Sequence, residues 1–299
     1  MNRNRSGFAV MAGLIGMIKP MLGIMLLAVL MGCIGNLMAI FITVLGGYGL
    51  LIVTGYYGKM SLALIITLMA VFAILRGILR YAEQACNHFI AFKLLARIRH
   101  QVFAALRKLA PAKLDGSEKG NLISIITSDI ELLEVFYAHT ISPIVIAVIT
   151  SVVMCVYLGS MSAWFAVIAA CFYVLVGVVI PLWNGKRGSA YGKNYRDSFG
   201  KLNTTVLDNL YGLEETIQYE RQGERIKVMS EQTDALERVN RTLKNQEKTQ
   251  RILTDWVILA SGVVMACAGS YLTERGAIAG YQAVTAVIAM MSSFGPTAA

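Results

Sequence analysis

Long charge-free stretches alternate along the chain with blocks that are rich in charged residues. Residues 20–58, 135–185 and 256–273 contain no Asp, Glu, Lys or Arg. A helix needs about 20 apolar residues to cross a bilayer, so the first and third stretches can each hold one span and the second can hold two. Further apolar runs precede Arg76 and follow Gly280. The pattern therefore predicts an all-α membrane protein with six long transmembrane helices.

Short turns separate the predicted spans on one side, and long charged blocks extend the helices on the other. Residues 1–20 are basic and mildly amphipathic, which is typical of a short helix lying along a membrane surface. The sixth helix is expected to be truncated at Ala299, where the sequence ends. The predicted spans cover about 21–53, 60–82, 140–158, 163–182, 253–272 and 281–299.

The second apolar run continues into a charged segment without a helix breaker. Residues 61–75 carry no charge, whereas five Lys and Arg residues follow Tyr81 before Pro111. Because a helix rises 1.5 Å per residue, we expect one unbroken helix that starts in lipid and extends roughly 40 Å into water. A lone span does not need such a stalk. The length favours a protein that carries force between a cytoplasmic partner and the bilayer.

The composition and the distribution of charge agree with a membrane protein. Hydrophobic residues make up 56% of the chain and charged residues 15%, against about 25% charged in soluble domains. Of the 27 Lys and Arg residues, 25 fall in the N-terminal segment and in residues 76–139 and 183–252. By the positive-inside rule, these three parts are predicted to be cytoplasmic. The net charge of +9 therefore indicates orientation, and no nucleic-acid partner is expected.

Several short motifs carry a resemblance to a known family. They are Arg80-Tyr81-x-Glu83, Leu109-Ala110-Pro111-Ala112, Gly120-Asn-Leu-Ile-Ser124, Ser128-Asp129 and Ile141-Ser142-Pro143. The chain resembles the permease half of an ABC exporter, and within that group the CydC-type subunit of the exporter of thiols or haem that is linked to cytochrome bd assembly. The resemblance implies that residues 21–299 form an ABC transmembrane type-1 domain in a bacterial plasma membrane.

No nucleotide-binding motif accompanies that resemblance. The pattern G-x-x-x-x-G-K-[ST] occurs nowhere in the sequence. We therefore expect no ATPase site in this chain and interpret it as a fragment whose nucleotide-binding domain is absent. ATP and Mg²⁺ would act only through that domain. The expected partners are the lipid bilayer, the nucleotide-binding domain and a second permease half, either identical or different.

Two polar turning points between the long helices are candidates for docking to the ATPase domain. Both mix apolar side chains with polar ones, as a docking surface needs. The resemblance implies that they are the coupling helices of the exporter, whereas the alternative is an ordinary polar loop. The candidate coupling residues are Gly120, Leu122, Ser124, Asp129, Asp208, Leu210, Gly212 and Glu215.

Six polar residues of the second helix share one arc, at 100° per residue. Charged residues this close to the apolar part of a membrane helix are costly in lipid and normally face a cavity or a partner. One hypothesis is a wall of the cargo pathway that binds an anionic cargo through Arg76 and Arg80. The alternative is that the membrane ends near Arg76 and that the residues meet lipid headgroups. The arc contains Arg76, Arg80, Glu83, Gln84, Asn87 and His88.

Histidine chemistry offers one further hypothesis. His88 matches a histidine of the CydC-type pattern, and a neutral imidazole can bind haem iron. The alternative is a solvated or packed side chain. His100 and His139 show no ligand spacing and are interpreted as structural. No other metal site and no catalytic constellation is predicted.

These patterns leave three functions open. The first is the permease part of an ATP-driven exporter of a small thiol, an amino acid derivative or haem, working by alternating access. The second is a lipid or peptide exporter of the same fold. The third is a membrane factor that binds haem or assists cytochrome assembly without transport.

Overall fold

The computed structural model describes residues 16–17, 19–58, 60–109 and 130–298. The interfacial helix predicted for residues 1–20 lies almost entirely outside this part of the chain. Within it the structure contains helices and turns but no strand. The helices are α1 (Leu22–Val53, led by a 3₁₀ turn at Lys19–Met21), α2 (Leu62–Leu109), α3 (Ile130–Phe136), α4 (Ser142–Gly159), α5 (Ala163–Val174), α6 (Ile180–Tyr211), α7 (Leu213–Gln218), α8 (Gln222–Glu274), α9 (Gly280–Ser292) and α10 (Gly295–Ala298).

Five helical segments in the described residues are long and apolar enough to cross a membrane. They are Lys19–Val53, Leu62–Lys108, Tyr137–Gly159, Ala163–Gly185 and Gln222–Glu274. They overlap the first five predicted spans, whose bounds stay predictions, and the all-α fold is confirmed. The sixth segment is shorter: α9 has 13 residues and ends where the Ser293 amide bonds the Met290 carbonyl, before α10 begins at Gly295.

The α2 helix is the long unbroken helix that the sequence predicts. Its 48 residues run from Leu62 to Leu109 without a break, which corresponds to about 72 Å. The Ser61 hydroxyl accepts a hydrogen bond from the Leu64 amide at 3.3 Å and so caps the first turn. Arg107 and Lys108 lie in the last turn, where positive charge favours the carbonyl end of the helix dipole.

Two π turns interrupt the helices of the third and fourth spans. The first covers Tyr137–Ile141 and the second Leu175–Val179, and each ends two residues before a proline, Pro143 or Pro181. Proline has no amide hydrogen and its ring crowds the carbonyl four residues earlier. A wider turn relieves this crowding while the helix continues. The prolines therefore give a physical cause for both π turns.

The chain divides into two compact units, Met1–Ala170 with Gly262–Ala299, and Cys171–Ser261. In the first unit α1 and α2 run antiparallel, and a Cβ at Gly35 would lie 3.6 Å from Leu79 Cβ. Near the start of α1, Met21 and Met25 form a buried cluster with apolar residues of α2 and of the first π turn. Those partners are Ile90, Ala91, Leu94, Tyr137 and Ala138.

In the second unit α6 and the first part of α8 are joined by the short helix α7. The Asn184 amide donates to Gln250 Oε1 at 2.7 Å, which ties α6 to α8 at the end away from α7. Gly212 separates α6 from α7, and Glu220 adopts a positive φ of 53° in the turn before α8. A side chain in this left-handed region is strained, so the turn is a defined conformation.

Candidate functional site

A polar cavity of about 400 Å³ lies between α1, α2 and α4 in the first unit. Four of the six residues of the predicted arc line it, namely Arg76, Arg80, Glu83 and Gln84. The opposite wall comes from α1, the start of α4, the first π turn and α10. Those lining residues are Gly32, Gly35, Asn36, His139, Pro143, Ile146, Gly295 and Pro296.

The depth of this cavity follows from the apolar helix opposite the arginines. Asn36 is the midpoint of the 35-residue segment Lys19–Val53. A hydrocarbon core of about 30 Å takes about 20 helical residues. Every 20-residue window within this segment includes residue 36, at its centre or as little as two residues from its end, so the cavity lies within the hydrocarbon core or at its edge. This depth suits a pathway wall in most of these windows and contact with headgroups only in the outermost ones.

Glu83 is the most buried charged group at the cavity. Its side chain is 1% exposed, and Oε2 accepts a hydrogen bond from Arg80 Nη1 at 2.7 Å. Oε1 accepts a longer one, at 3.4 Å, from the Asn87 amide, which is itself buried. A buried carboxylate without a partner would be costly, because its charge has lost its hydration. Arg80 and Asn87 therefore provide hydrogen-bond partners for both oxygens of the buried Glu83 carboxylate.

The other polar groups at the cavity have fewer partners. Arg76 lines the cavity and makes no ion pair with any residue in the described ranges. The Gln84 side-chain oxygen is buried without a hydrogen-bond partner among the described residues. Asn36 on the facing wall donates to the carbonyl of Gly32, on its own helix, at 2.8 Å. The cavity thus presents one unpaired guanidinium beside uncharged acceptors.

His88 lies apart from the cavity lining, on the side facing α3. Its Nδ1 is 3.3 Å from Glu134 Oε1, which is ion-pair distance when the imidazole is protonated. Its ring stacks on Phe92, with centroids 5.8 Å apart, and meets the His139 ring edge-on at 5.5 Å. The first π turn carries His139, and its side chain lines the cavity.

The role assigned to His139 from the sequence was incomplete. It was interpreted as structural, yet its side chain joins the cavity wall. Pro143, four residues later, was the available signal, since a proline releases the carbonyl at that spacing. The α1 residues Gly32, Gly35 and Asn36 were also missed, because no charge marks them.

Comparison with known proteins assigns this architecture to a family. Residues 21–296 match the family model described as ABC transporter transmembrane region. The chain belongs to this family. A probable ABC transporter ATP-binding/permease protein from Haemophilus influenzae is 37% identical over 295 residues, which are 99% of this chain and 53% of the relative. The chain thus spans about half the length of that relative, and less of the next two.

The predicted resemblance to CydC-type subunits also appears among the relatives. The glutathione/L-cysteine transport protein CydC of Haemophilus influenzae is 25% identical over 136 residues, covering 46% of this chain and 24% of the relative. The corresponding CydD protein of Bacillus subtilis is 28% identical over 111 residues, covering 37% and 19%. The ABC exporter resemblance therefore covers the whole chain, and the CydC-type resemblance less than half of it.

The coupling residues predicted for the ABC transporter fold are partly described. Gly120, Leu122, Ser124 and Asp129 lie outside the described residues. The second group lies where α6 meets α7: the Gly212 amide bonds the Asp208 carbonyl at 2.9 Å and ends α6. Leu210 is 64% exposed, and Glu215 lies in the first turn of α7.

An apolar surface surrounds this turn, and we refer to it as the tip patch. All its side chains are more than half exposed, Tyr211 most of all at 86%. Exposed apolar clusters of this kind mark interaction sites in soluble parts of proteins. From Ile180 to Tyr211, α6 is about 48 Å long, so the tip patch lies far from the apolar start of the helix. It consists of Leu210, Tyr211, Leu213, Ile217 and Tyr219.

Proposed function

We propose that this chain is the permease half of an ATP-driven exporter that moves cargo across a bacterial plasma membrane by alternating access. The polar cavity at hydrocarbon depth is the observation that carries the proposal. Charged groups are placed there at a cost and normally serve a pathway. Arg76, Arg80, Glu83 and Gln84 form one wall, with His139 beside them. The N-terminus and the charged blocks lie on the cytoplasmic side in this proposal.

The tip patch is the proposed docking site for a nucleotide-binding domain. Its apolar side chains are surrounded by polar ones such as Asp208 and Glu215, as in the rim of an interface. ATP and Mg²⁺ would bind on that domain, and its movement would reach the cavity through the long helices. A second permease half, identical or different, completes the pathway. The first relative's description as an ATP-binding/permease protein supports this arrangement.

A charge placed in the tip patch tests the coupling. Leu213 is 51% exposed at the start of α7, and Leu213→Asp would introduce a desolvated carboxylate into the docked interface. Since a central apolar contact contributes about 2 kcal/mol or more, we expect transport per transporter to fall at least about tenfold. The measurement is ATP-dependent uptake into inside-out vesicles that contain the full-length transporter.

Ala235→Asp is the matched control. Ala235 is exposed on α8, about 20 Å along the helix from its first residue. The Ala235→Asp variant should transport cargo as fast as the unmodified protein does. Equal activity in the two variants would contradict docking at the tip patch. If Leu213→Asp no longer formed the assembled transporter, as measured by size-exclusion chromatography, that result would also support docking at the tip patch.

The cargo class proposed first is a small thiol or an amino acid derivative. Charges of both signs at the cavity suit a polar cargo with a carboxylate. Two relatives are described as glutathione/L-cysteine transport proteins, which adds support. Lipid and peptide cargo are the alternatives within the same fold. Uptake of radiolabelled cysteine and glutathione, against a labelled peptide and a fluorescent lipid, separates them.

Haem is the remaining cargo or cofactor candidate, and the described geometry restricts how it would bind. The rings of His88 and His139 touch edge-on at 5.5 Å, which leaves no room for a porphyrin between them. If haem bound here, the imidazole of His88 alone would hold its iron. Haem titration should give a Soret shift that His88→Ala abolishes. An unchanged shift in that variant would remove His88 as the ligand, and with it the support for a non-transport haem factor.

A further inference from the structure

The charged groups at the polar cavity do not all have the same freedom to meet a cargo. Among the lining residues, Arg76, Arg80 and Glu83 carry formal charge. Arg80 and Glu83 are joined by a hydrogen bond of 2.7 Å, three residues apart on α2. Arg76 lies one turn before Arg80 and has no ion pair within the described ranges. Two guanidinium groups therefore leave only one uncompensated charge.

The pairing of Arg80 is held in place by the burial of Glu83. Glu83 is 1% exposed, whereas the Arg80 side chain is 58% exposed. A cargo that displaced Arg80 would leave the Glu83 carboxylate buried without its cation, which costs more than an exposed contact gains. The surroundings of Glu83 reinforce this restraint, since a Cβ at Gly32 would lie only 3.1 Å from Glu83 Cδ. Arg80 thus acts as a positioning residue.

We propose that each copy of the cavity selects a cargo that presents a single carboxylate, which Arg76 binds. This inference rests on the proposed cargo role of the cavity and sharpens it. The guanidinium of Arg76 offers two parallel donors to one carboxylate. A second carboxylate on the same cargo meets no free cation there and approaches the negative charge of Glu83. A cargo without a carboxylate leaves Arg76 unpaired at hydrocarbon depth.

A series of probes that differ in the number of free carboxylates tests the inference. The probes are mercaptosuccinate with two negative charges, its monomethyl ester with one, and its dimethyl ester with none. Binding to the full-length transporter in nanodiscs is measured by titration calorimetry at fixed salt. We expect the monomethyl ester to bind most tightly. Arg76→Gln should weaken its binding about tenfold, the value of one charged hydrogen-bonding contact.

Variants of the ion pair give the sharper result. Glu83→Gln releases Arg80, so the cavity gains a second free guanidinium and mercaptosuccinate should become the tightest of the three probes. The double variant Arg80→Gln with Glu83→Gln removes both charges together. It should keep the original preference for the monomethyl ester, and it controls for the loss of the buried carboxylate. Thermal unfolding of each variant establishes that it is folded.

Three results would overturn the inference: an unchanged affinity in Arg76→Gln, an unchanged order of probes in Glu83→Gln, or no binding by any probe. None of these results bears on the docking of an ATPase domain, which the tip-patch variants test separately. If Leu213→Asp were fully active and the probes still bound in the predicted order, docking at the tip patch would be contradicted. The inference about Arg76 would stand.

Discussion

At the scale of single residues, Gly32 allows the cavity to form. A Cβ at this position would overlap Ile146 Cδ1 and approach Glu83 Cδ at 3.1 Å. Three helices therefore come together at a place where the α1 backbone has no side chain. Because Glu83 is buried against this backbone, its carboxylate is fixed in the position that pairs with Arg80. A glycine in α1 thus determines an electrostatic feature of α2.

Gly32→Val should destabilise the protein by overpacking this contact. We expect the free energy of unfolding to fall by about 1–3 kcal/mol. Gly77→Val in the interior of α2 is the control, since nothing lies within 4 Å of its added Cβ. It shares the change in helix propensity and lacks the clash. Unfolding in mixed micelles by SDS titration measures both, and equal stability of the two variants would contradict the packing argument.

Some of these residue contacts were accessible from the sequence and others were not. The spacing of Arg80 and Glu83 on one helix suggests an ion pair. The sequence does not predict how deep Arg80 and Glu83 lie in the membrane, because it does not reveal which part of α1 lies opposite them. Gly32 and Asn36 carry no sequence signal for a site, since glycine and asparagine occur in many apolar spans. Contacts between helices decide such roles.

At the scale of elements, the first π turn shapes the cavity wall. It adds a wider turn before Pro143, and both His139 and Pro143 then line the cavity. The buried residues of α4 follow at intervals of four, namely Ser142, Ile146, Thr150, Met154 and Leu158. The turn therefore sets the position from which this buried face begins.

Pro143→Ala should restore an amide donor for the His139 carbonyl and remove the cause of the π turn. The side chain of residue 139 would then rotate out of the cavity. In a His139→Cys variant that lacks the five native cysteines, we expect several-fold slower labelling by a water-soluble thiosulfonate once Pro143 is replaced. Pro181→Ala in the same background is the control, because it lies at the second π turn. An unchanged labelling rate in Pro143→Ala would show that other contacts hold the turn.

The helices themselves were largely predictable from their pattern. The unbroken course of α2 followed from a long run without proline, and the charged block of residues 183–252 was expected to extend the helices on either side of it, as α6 and α8 do. The π turns were not predicted, because hydrophobic periodicity does not register one added residue in an apolar span. Their prolines were visible in the sequence. The end of α9 at Ser292 also differs from the expected run through residue 299.

At the scale of the whole molecule, helices such as α2 and α8 extend far beyond their apolar segments, and the cavity lies beside α2. The family match covers residues 21–296, and five of the six expected spans are long enough to cross a bilayer among the described residues. The central claim is that ATP on a docked domain changes the access of water to the cavity. Sequence patterns predict the helices that would transmit this change. The direction and size of the change in water access depend on the assembled transporter.

The most direct measurement uses a cysteine at position 84, where the native glutamine lines the cavity. Gln84→Cys is placed in the cysteine-free background of the full-length transporter, and inside-out vesicles are treated with a membrane-impermeant maleimide. We predict rapid labelling without nucleotide and strong protection when ATP and vanadate trap the closed state. Labelling at one rate in both conditions, in a transporter that still hydrolyses ATP, would contradict the account.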